Sequence, residues 1–254
     1  MTKTQLIRIA TLKISYAGKI FLIDPMLGDI GSFESYGNIT PNPTKQLPFS
    51  VDNILNNIDV VLVSHLHKDH FDDAARSLLE KTIPLFCQPG DQDNIKDSGF
   101  HNVSEILDSV VIDGIEIIRT SGNHGRGPIE KLMGKVSGFI FKSKNEPTIY
   151  VMGDTIFNAE VKNTIDIHHP EIIITNSGGA FIPGYEKDLI LLDEQETIAI
   201  AQYDKLPKII AVHLEALDHC TVNRASLYRA ILQSNVDKNR FFIPLDGESL
   251  LFDK

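Results

Sequence analysis

The residues best suited to chemistry are concentrated in one short run of the chain. Residues 64–70 read Ser-His-Leu-His-Lys-Asp-His and directly follow a short apolar stretch. Imidazole and carboxylate groups are the usual protein ligands of zinc and similar divalent ions. An extended backbone would point His65 and His67 to the same side, whereas Asp69 and His70 follow a turn and can face a second position. The spacing favours two adjacent metal ions; the alternative is a solvated, histidine-rich turn.

This run resembles the HxHxDH motif of the metallo-β-lactamase fold superfamily, and the resemblance extends along nearly the whole chain. The further features that carry it are Leu22-Ile23-Asp24-Pro25, Ser121-Gly122-Asn123-His124-Gly125, Met152-Gly153-Asp154-Thr155, and His213 after the apolar run 209–212. Within the superfamily, the chain is similar to the L-ascorbate-6-phosphate-lactonase-like metal-dependent hydrolases. That similarity rests on residues 133–139, 153–155, 176–180 and 219–220.

The resemblance implies a role for each of these side chains. The residues implied to hold the first metal are His65, His67 and His124, and those implied to hold the second are Asp69, His70 and His213, with Asp154 bridging both. Asp24 would orient a ligand histidine from outside the ligand set, a known function of carboxylates near metals. Asp69 would also steer the nucleophile or shuttle a proton. Two divalent ions are expected; nitrogen-rich ligands favour zinc, with manganese or iron as alternatives.

Taken singly, three of these residues have ordinary structural explanations. His124 lies in a glycine-rich segment and could be an exposed loop residue, and Asp154 could be a turn residue after a strand. His213 ends an apolar run, where a hydrogen-bonded core histidine is common. Their order and spacing together favour the metal-ligand interpretation.

The candidate substrate-binding residues are His219, Gly178 and Gly179. His219 follows His213 by six residues and could line a pocket. The two glycines follow a predicted strand end, where backbone amides could approach a substrate anion; the alternative is a plain tight turn. Residues 28–49 are rich in proline and glycine, which predicts a long surface loop, either a lid over the site or a disordered excursion. Together with residues 181–185, this loop is expected to shape the pocket.

The elements that must position these side chains fall into two similar halves. Each half has a hairpin whose second strand ends in aspartate, Asp24 or Asp154, and a later buried strand that ends in histidine, His65 or His213. Two β-rich halves with helices predict two sheets packed face to face with helices outside, a four-layer αββα sandwich of the α/β (α+β) class, as one domain over residues 1–254. Strands are predicted over residues 6–16, 19–23, 58–64, 84–87, 136–142, 148–152, 171–175 and 208–212, and residues 110–119 are predicted to form two strands with a turn at Asp113-Gly114. Helices are predicted over residues 71–81, 158–167, 194–203 and 223–234.

Composition narrows the classes of function. The chain has 254 residues and a formal net charge of −10, which argues against nucleic acid or a membrane surface as a partner. The N-terminus lacks the apolar stretch of a secretory signal, and Cys87 and Cys220 form no CxxC pattern, so a cytoplasmic location is expected. The expected partner is a small-molecule substrate. This substrate could be anionic if the pocket is locally basic. A homo-oligomer is a further expectation, drawn from the resemblance.

These inferences combine into a metal-dependent hydrolase. A metal-bound hydroxide at a dinuclear site would attack a small ester, lactone or phosphodiester. One alternative is a metal-dependent oxidoreductase, although di-iron members of the superfamily usually carry glutamate at the position of His67. A nuclease would be expected to have a basic surface. The last alternative is a non-catalytic scaffold that retains the fold.

Overall fold

The computed structural model describes residues 1–253. The first set of strands comprises β1 (Thr2–Arg8), β2 (Thr11–Tyr16), β3 (Lys19–Ile23), β4 (Val60–Val63), β5 (Leu85–Cys87), β6 (Val103–Glu105) and β14 (Ser249–Phe252). The second comprises β7 (Ser109–Ile112), β8 (Ile115–Asn123), β9 (Lys135–Lys142), β10 (Ile149–Val151), β11 (Ile172–Asn176), β12 (Lys208–Val212) and β13 (Phe241–Phe242). Each set forms one seven-stranded mixed sheet, in the orders β14-β1-β2-β3-β4-β5-β6 and β13-β12-β11-β10-β9-β8-β7.

Helices cover the outer faces of both sheets. They are α1 (Val51–Leu55), α2 (Asp73–Leu78), α3 (Gln92–Asp97), α4 (Pro128–Met133), α5 (Ala159–His168), α6 (Glu194–Tyr203) and α7 (Arg224–Gln233), with a short 3-10 turn at Lys238–Arg240. Four of them begin at a side chain that accepts a backbone N–H of the first turn, at Asp72, Asn158, Asp193 and Asn223. Such caps satisfy amides that have no partner within the helix.

The main core lies between the two sheets, so the predicted four-layer sandwich is confirmed. Phe21 of β3 contacts Phe141 of β9 edge to face, with ring centroids 5.1 Å apart. On β4, Val60 and Leu62 point into this core, whereas Val61 and Val63 pack against the helix-side cluster. Because both faces of β4 are buried, its sequence is a continuous apolar run rather than an alternating one.

The two predicted halves correspond in topology. In the first half, β2 pairs antiparallel with β3 and β3 pairs parallel with β4. In the second half, β9 pairs antiparallel with β10, and β10 and β12 flank β11 in parallel. The carboxyl ends of the parallel strands β3 and β4 in one sheet and β10, β11 and β12 in the other meet along one edge of the sandwich, as expected from the sequence.

Several element boundaries differ from the predicted ones. The strand predicted over residues 6–16 is two strands, because Ile9 adopts a left-handed φ of 55° and turns the chain between β1 and β2. The helix predicted over residues 71–81 is shorter, since Asp72 caps it and Leu79 is already extended. Residues 28–49 form the predicted irregular loop, which the buried guanidinium of Arg8 ties down through hydrogen bonds to main-chain carbonyls within and beside it. Within residues 1–253, no helix has the length and apolarity needed to cross a bilayer.

Candidate metal centre

Strand ends and the loops that follow them place the predicted ligands at one edge of the sandwich. Asp24 directly follows β3, and the run beginning at His65 follows β4. In the second sheet, His124 follows β8 and His213 follows β12, while Asp154 comes shortly after β10. The structure brings all seven predicted metal ligands into one cluster, in which all but His67 are buried. Metal binding by this cluster stays a prediction.

One part of the cluster consists of three imidazoles. His65, His67 and His124 each offer a nitrogen, and these atoms lie within 4.8 Å of one another. Nε2 of His65 is 2.9 Å from Nδ1 of His67. Nδ1 of His124 donates a hydrogen bond to the carbonyl oxygen of Ile190 at 2.8 Å, which leaves its Nε2 as an acceptor facing the cluster. This arrangement suits a cation bound by neutral imidazoles.

The other part combines two carboxylates with two imidazoles. Asp69, His70, Asp154 and His213 are fully buried, and one ligand atom from each lies within 4.8 Å of the others. Nε2 of His213 is 3.2 Å from Oδ2 of Asp69, and Nε2 of His70 is 3.1 Å from Oδ2 of Asp154.

Asp154 lies between the two parts. The same Oδ2 that contacts His70 is 3.4 Å from Nε2 of His124 and 4.0 Å from Nε2 of His65. Its other oxygen accepts a hydrogen bond from the side-chain amide of Asn176 at 2.6 Å. The position is that expected of a bridging carboxylate. Sequence reasoning did not assign a role to Asn176, although its segment was part of the resemblance.

Asp24 is placed to orient His70. Its Oδ2 accepts hydrogen bonds from Nδ1 of His70 at 2.8 Å and from the hydroxyl of Ser64 at 2.7 Å, and its Oδ1 accepts from the Ser64 backbone N–H at 2.7 Å. A proton held on Nδ1 of His70 leaves Nε2 free to act as a ligand. The structure thus gives Asp24 the surroundings that its expected role requires.

Burial and neighbouring charges shift the pKa values of the histidines in opposite directions in the two parts of the cluster. Burial, followed by the neighbouring His70, holds the pKa of His65 well below its ordinary value, and burial lowers the pKa of His124 to about 4. Burial alone would also lower the pKa of His213, but Asp154 and Asp69 raise it to about 10. The three-histidine part therefore presents neutral nitrogens at pH 7, whereas the carboxylate part holds a proton that a metal ion would displace.

A cavity of about 280 Å³ opens next to the cluster. The residues that line it are Glu34, Tyr36, Leu66, His67, Lys68, Asp69, His124, Met133, Asp154, Ile182, Ile190 and His219. The predicted pocket residue His219 and the predicted pocket-shaping segments 28–49 and 181–185 are all represented. Sequence reasoning missed Leu66, Met133 and Ile190, since an apolar residue beside a site has no distinguishing signal.

Gly178 and Gly179 do not line this cavity. A Cβ at Gly178 would lie 2.5 Å from the carbonyl oxygen of His213. The N–H of Gly179 already donates to the carbonyl of Leu192 at 2.9 Å, and its φ of 57° is left-handed. The structure therefore shows Gly178 allowing close packing against His213 and Gly179 allowing it against Val222, and the predicted contact with a substrate anion stays untested.

Comparison with known proteins shows which family the chain resembles. Residues 19–214 match the family model described as the beta-lactamase superfamily domain. The UPF0173 protein YddR of Bacillus subtilis is 39% identical, over 97% of this chain and 98% of that protein. A UPF0173 metal-dependent hydrolase of Xanthobacter autotrophicus is 25% identical, over 69% and 71% of the two chains.

Two solved structures are similar over their full length. A possible metal-dependent hydrolase from Veillonella parvula superposes with a TM-score of 0.94 at 33% identity, covering 98% of this chain and 99% of the other. An isothiocyanate hydrolase from Delia radicum gut bacteria superposes with a TM-score of 0.92 at 32% identity, covering 99% and 100%.

Proposed function

Because the chain belongs to the beta-lactamase superfamily domain family, and within it to the UPF0173 proteins, we propose that this metal-dependent hydrolase uses two divalent ions to cleave a small, uncharged electrophile. The observation that carries the proposal is the pair of buried donor groups joined by Asp154. Zinc is the first expectation for the metal, with manganese or iron as alternatives.

The chemistry of the donor set fits divalent cations. Nε2 of His65 and Nδ1 of His67 lie 2.9 Å apart, where two unprotonated ring nitrogens would repel each other unless a proton or a cation lies between them. Asp69 and Asp154 are buried without a lysine or arginine ion-pair partner among residues 1–253. Buried carboxylates need a compensating positive charge, which divalent ions would supply.

The residues of the chain divide the work between binding and orientation. His65, His67 and His124 would hold one ion, and Asp69, His70 and His213 the other, with Asp154 shared. When bound, the ions activate a water for attack and stabilise negative charge that develops on the substrate. Asp24 orients His70, while the carbonyl of Ile190 orients His124 and the amide of Asn176 holds Asp154. Asp69 is also placed to direct a proton.

The walls of the cavity favour an uncharged substrate over an anionic one. Leu66, Met133, Ile182 and Ile190 supply apolar surface, and the cation in the lining, Lys68, is paired with Glu34 at 3.0 Å. No free lysine or arginine among the described lining residues would add to the metal ions in binding a phosphate. At about 30 Å³ per water, a cavity of this volume holds roughly nine waters, which limits the substrate to a small molecule.

Among uncharged electrophiles, isothiocyanates are the first class to test. The full-length similarity to the isothiocyanate hydrolase supports this choice. An isothiocyanate carries an electrophilic carbon on a small, often apolar substituent, which suits both the activated water and the cavity walls. Esters and lactones share these properties and form the second class. Phosphodiesters come last, because no free lysine or arginine among the described lining residues would bind their charge.

The test combines metal analysis with hydrolysis. Protein purified without a metal-binding tag is expected to contain about two equivalents of divalent metal, as this ligand set implies. It should hydrolyse phenethyl isothiocyanate with one water to phenethylamine and carbonyl sulfide, faster than it cleaves a neutral ester, a lactone or bis(4-nitrophenyl) phosphate. Metal-replete protein that cleaves none of the four would favour the scaffold alternative.

The residue-level test is His67→Ala, with His101→Ala as the matched control. His101 is an exposed histidine in another loop, before β6. His67→Ala should lose turnover and metal content while its unfolding stays cooperative, and His101→Ala should retain both. Full activity of His67→Ala would refute the assignment of the site.

A further inference from the structure

A single carboxylate organises the part of the 28–49 loop that reaches the cavity. Asp218 accepts hydrogen bonds from the Ser35 hydroxyl, from the backbone N–H groups of Tyr36 (3.0 Å), Gly37 (3.1 Å), Ile39 (3.1 Å) and Thr40 (3.3 Å), and from the side-chain amide of Asn42 (2.9 Å). Asn42 also accepts from the Asp218 backbone N–H at 2.9 Å. Residues 35–42 are therefore wrapped around one side chain that lies far away in sequence.

Within the described residues, the negative charge of the Asp218 carboxylate is compensated by N–H and O–H dipoles rather than by a cation. No lysine or arginine forms an ion pair with Asp218 among residues 1–253, so N–H and O–H donors alone compensate it. Burial acts to raise the pKa of Asp218, but the hydrogen bonds from Ser35, Asn42, Gly37 and Ile39 lower it below its ordinary value. The group is thus ionised at neutral pH, and successive N–H groups form an anion-binding concavity around it.

The wrapped segment and the residue after Asp218 together form one wall of the cavity. Tyr36 and His219 both line the cavity, and their rings meet edge to face with centroids 5.1 Å apart. Gly37 approaches so closely that an added Cβ would lie 3.2 Å from Cα of His219. The ring of Phe33 also contacts that of Tyr36, at a centroid distance of 5.5 Å. Asp218 contacts both segments of this wall: it accepts the Tyr36 N–H, and it is joined to His219 by a peptide bond.

We infer that Asp218 is a positioning residue for substrate binding, which holds Tyr36 and His219 together as the wall that contacts the substrate's substituent. The inference rests on the proposed function, because it assigns this wall to the substrate of the same cavity. Asp218 is not among the predicted metal ligands and does not contact any of them through a side-chain hydrogen bond described above. Its loss should therefore weaken substrate binding while leaving metal content unchanged.

Asp218→Asn is the direct test. An asparagine has one acceptor oxygen, and its NH₂ group takes the place of the second carboxylate oxygen. This NH₂ group would therefore face the N–H and O–H donors that the second oxygen accepts in the wild type. Loss of hydrogen bonds to a charged acceptor should raise KM about tenfold or more, with kcat changed less than about threefold. Hydrogen exchange of the peptide covering residues 35–42 should accelerate by at least the same factor. Ser35→Ala, which removes one donor and leaves the carboxylate, should shift both quantities in the same direction by less.

The matched control is Asp237→Asn. Asp237 also accepts a backbone N–H, from Asn239 at 3.0 Å, but it caps the 3-10 turn away from the cavity. The Asp237→Asn substitution should leave KM and the hydrogen exchange of residues 35–42 unchanged. Faster exchange in Asp218→Asn without a rise in KM would mean that the carboxylate is merely structural and would overturn the inference. Unchanged exchange would overturn it as well.

A binding measurement separates this inference from the proposed function. The probe is 2-phenylethanethiol, whose sulfur can ligate a metal and whose substituent would contact the wall, titrated into metal-replete protein by calorimetry. Wild-type protein that binds the thiol but hydrolyses nothing would refute the proposed function, and the ratio of Kd values for Asp218→Asn and wild type would still decide the inference. A ratio near one overturns it, as does the absence of binding to wild type.

Discussion

Replacing Asp24 by asparagine would isolate the contribution of an orienting carboxylate to metal affinity. Three donors converge on this buried side chain: the backbone N–H and hydroxyl of Ser64, and Nδ1 of His70. Asp24 has a left-handed φ of 47°, a conformation that asparagine tolerates well, so the change adds little backbone strain. Its effects should therefore come from the lost acceptor.

The magnitude follows from the hydrogen bonds. If the asparagine oxygen keeps His70 and the Ser64 hydroxyl, its NH₂ group must face the Ser64 N–H, which now lies 2.7 Å from Oδ1. An unsatisfied buried donor costs about 1–3 kcal/mol of folding free energy. Loss of an orienting partner of a ligand histidine typically weakens metal binding 10–100-fold, which corresponds to about 1.4–2.8 kcal/mol.

The assay is a competition titration against a chromophoric chelator, paired with urea unfolding of chelator-stripped protein. Asp59→Asn is the control, since Asp59 accepts the Ile20 N–H at 2.8 Å outside the cluster. We expect Asp24→Asn to lose metal affinity and some stability, and Asp59→Asn to lose stability alone. Wild-type metal affinity in Asp24→Asn would refute the orienting role.

Two further predictions concern protonation and the loop anchor. Asp154 and Asp69 raise the pKa of His213 to about 10 against the effect of burial, so its charge stabilises chelator-stripped protein fully below about pH 6.5, and this stability is lost as pH rises towards 10. Urea unfolding across that range should show the decline, and metal affinity should rise over the same range. A free energy of unfolding that does not change with pH would contradict this prediction. Arg8→Met should destabilise the protein by about 3 kcal/mol, because it leaves three main-chain carbonyls without their donor; a urea midpoint equal to that of the wild type would contradict it.

Much of the fold and the centre could be predicted because the relevant signals are local. The apolar runs at β4 and β12 indicate strands buried on both faces, and each is followed directly by histidine. The two halves repeat one order of elements, so ligand residues that are distant in sequence can be placed at the same edge of the sandwich. Asp24 and Asp154 follow from that repetition.

The remainder depended on contacts that no local pattern encodes. The helices α1, α3 and α4 have five or six residues each, too few for a helical period to be recognised. Tyr36 and Asp218 are joined by a hydrogen bond across 182 residues of sequence, a contact that no local pattern indicates. Gly178 resembled an anion-binding turn but packs beneath His213, a close approach that only the folded chain shows.

This division has a physical origin that bears on how specificity arises. The predicted metal ligands lie at or just beyond strand ends, and those strands are fixed by the core between the sheets, so their arrangement is set by the fold. The proposed substrate wall instead consists of connecting segments, which are held by side chains such as Asp218 rather than by the sheets. Substitutions in such loops can alter the cavity without moving the ligands. Asp24 and Asp218 would represent the two levels: by the proposals above, the first orients a ligand histidine and its loss affects the metal, whereas the second orients a wall and its loss affects the substrate.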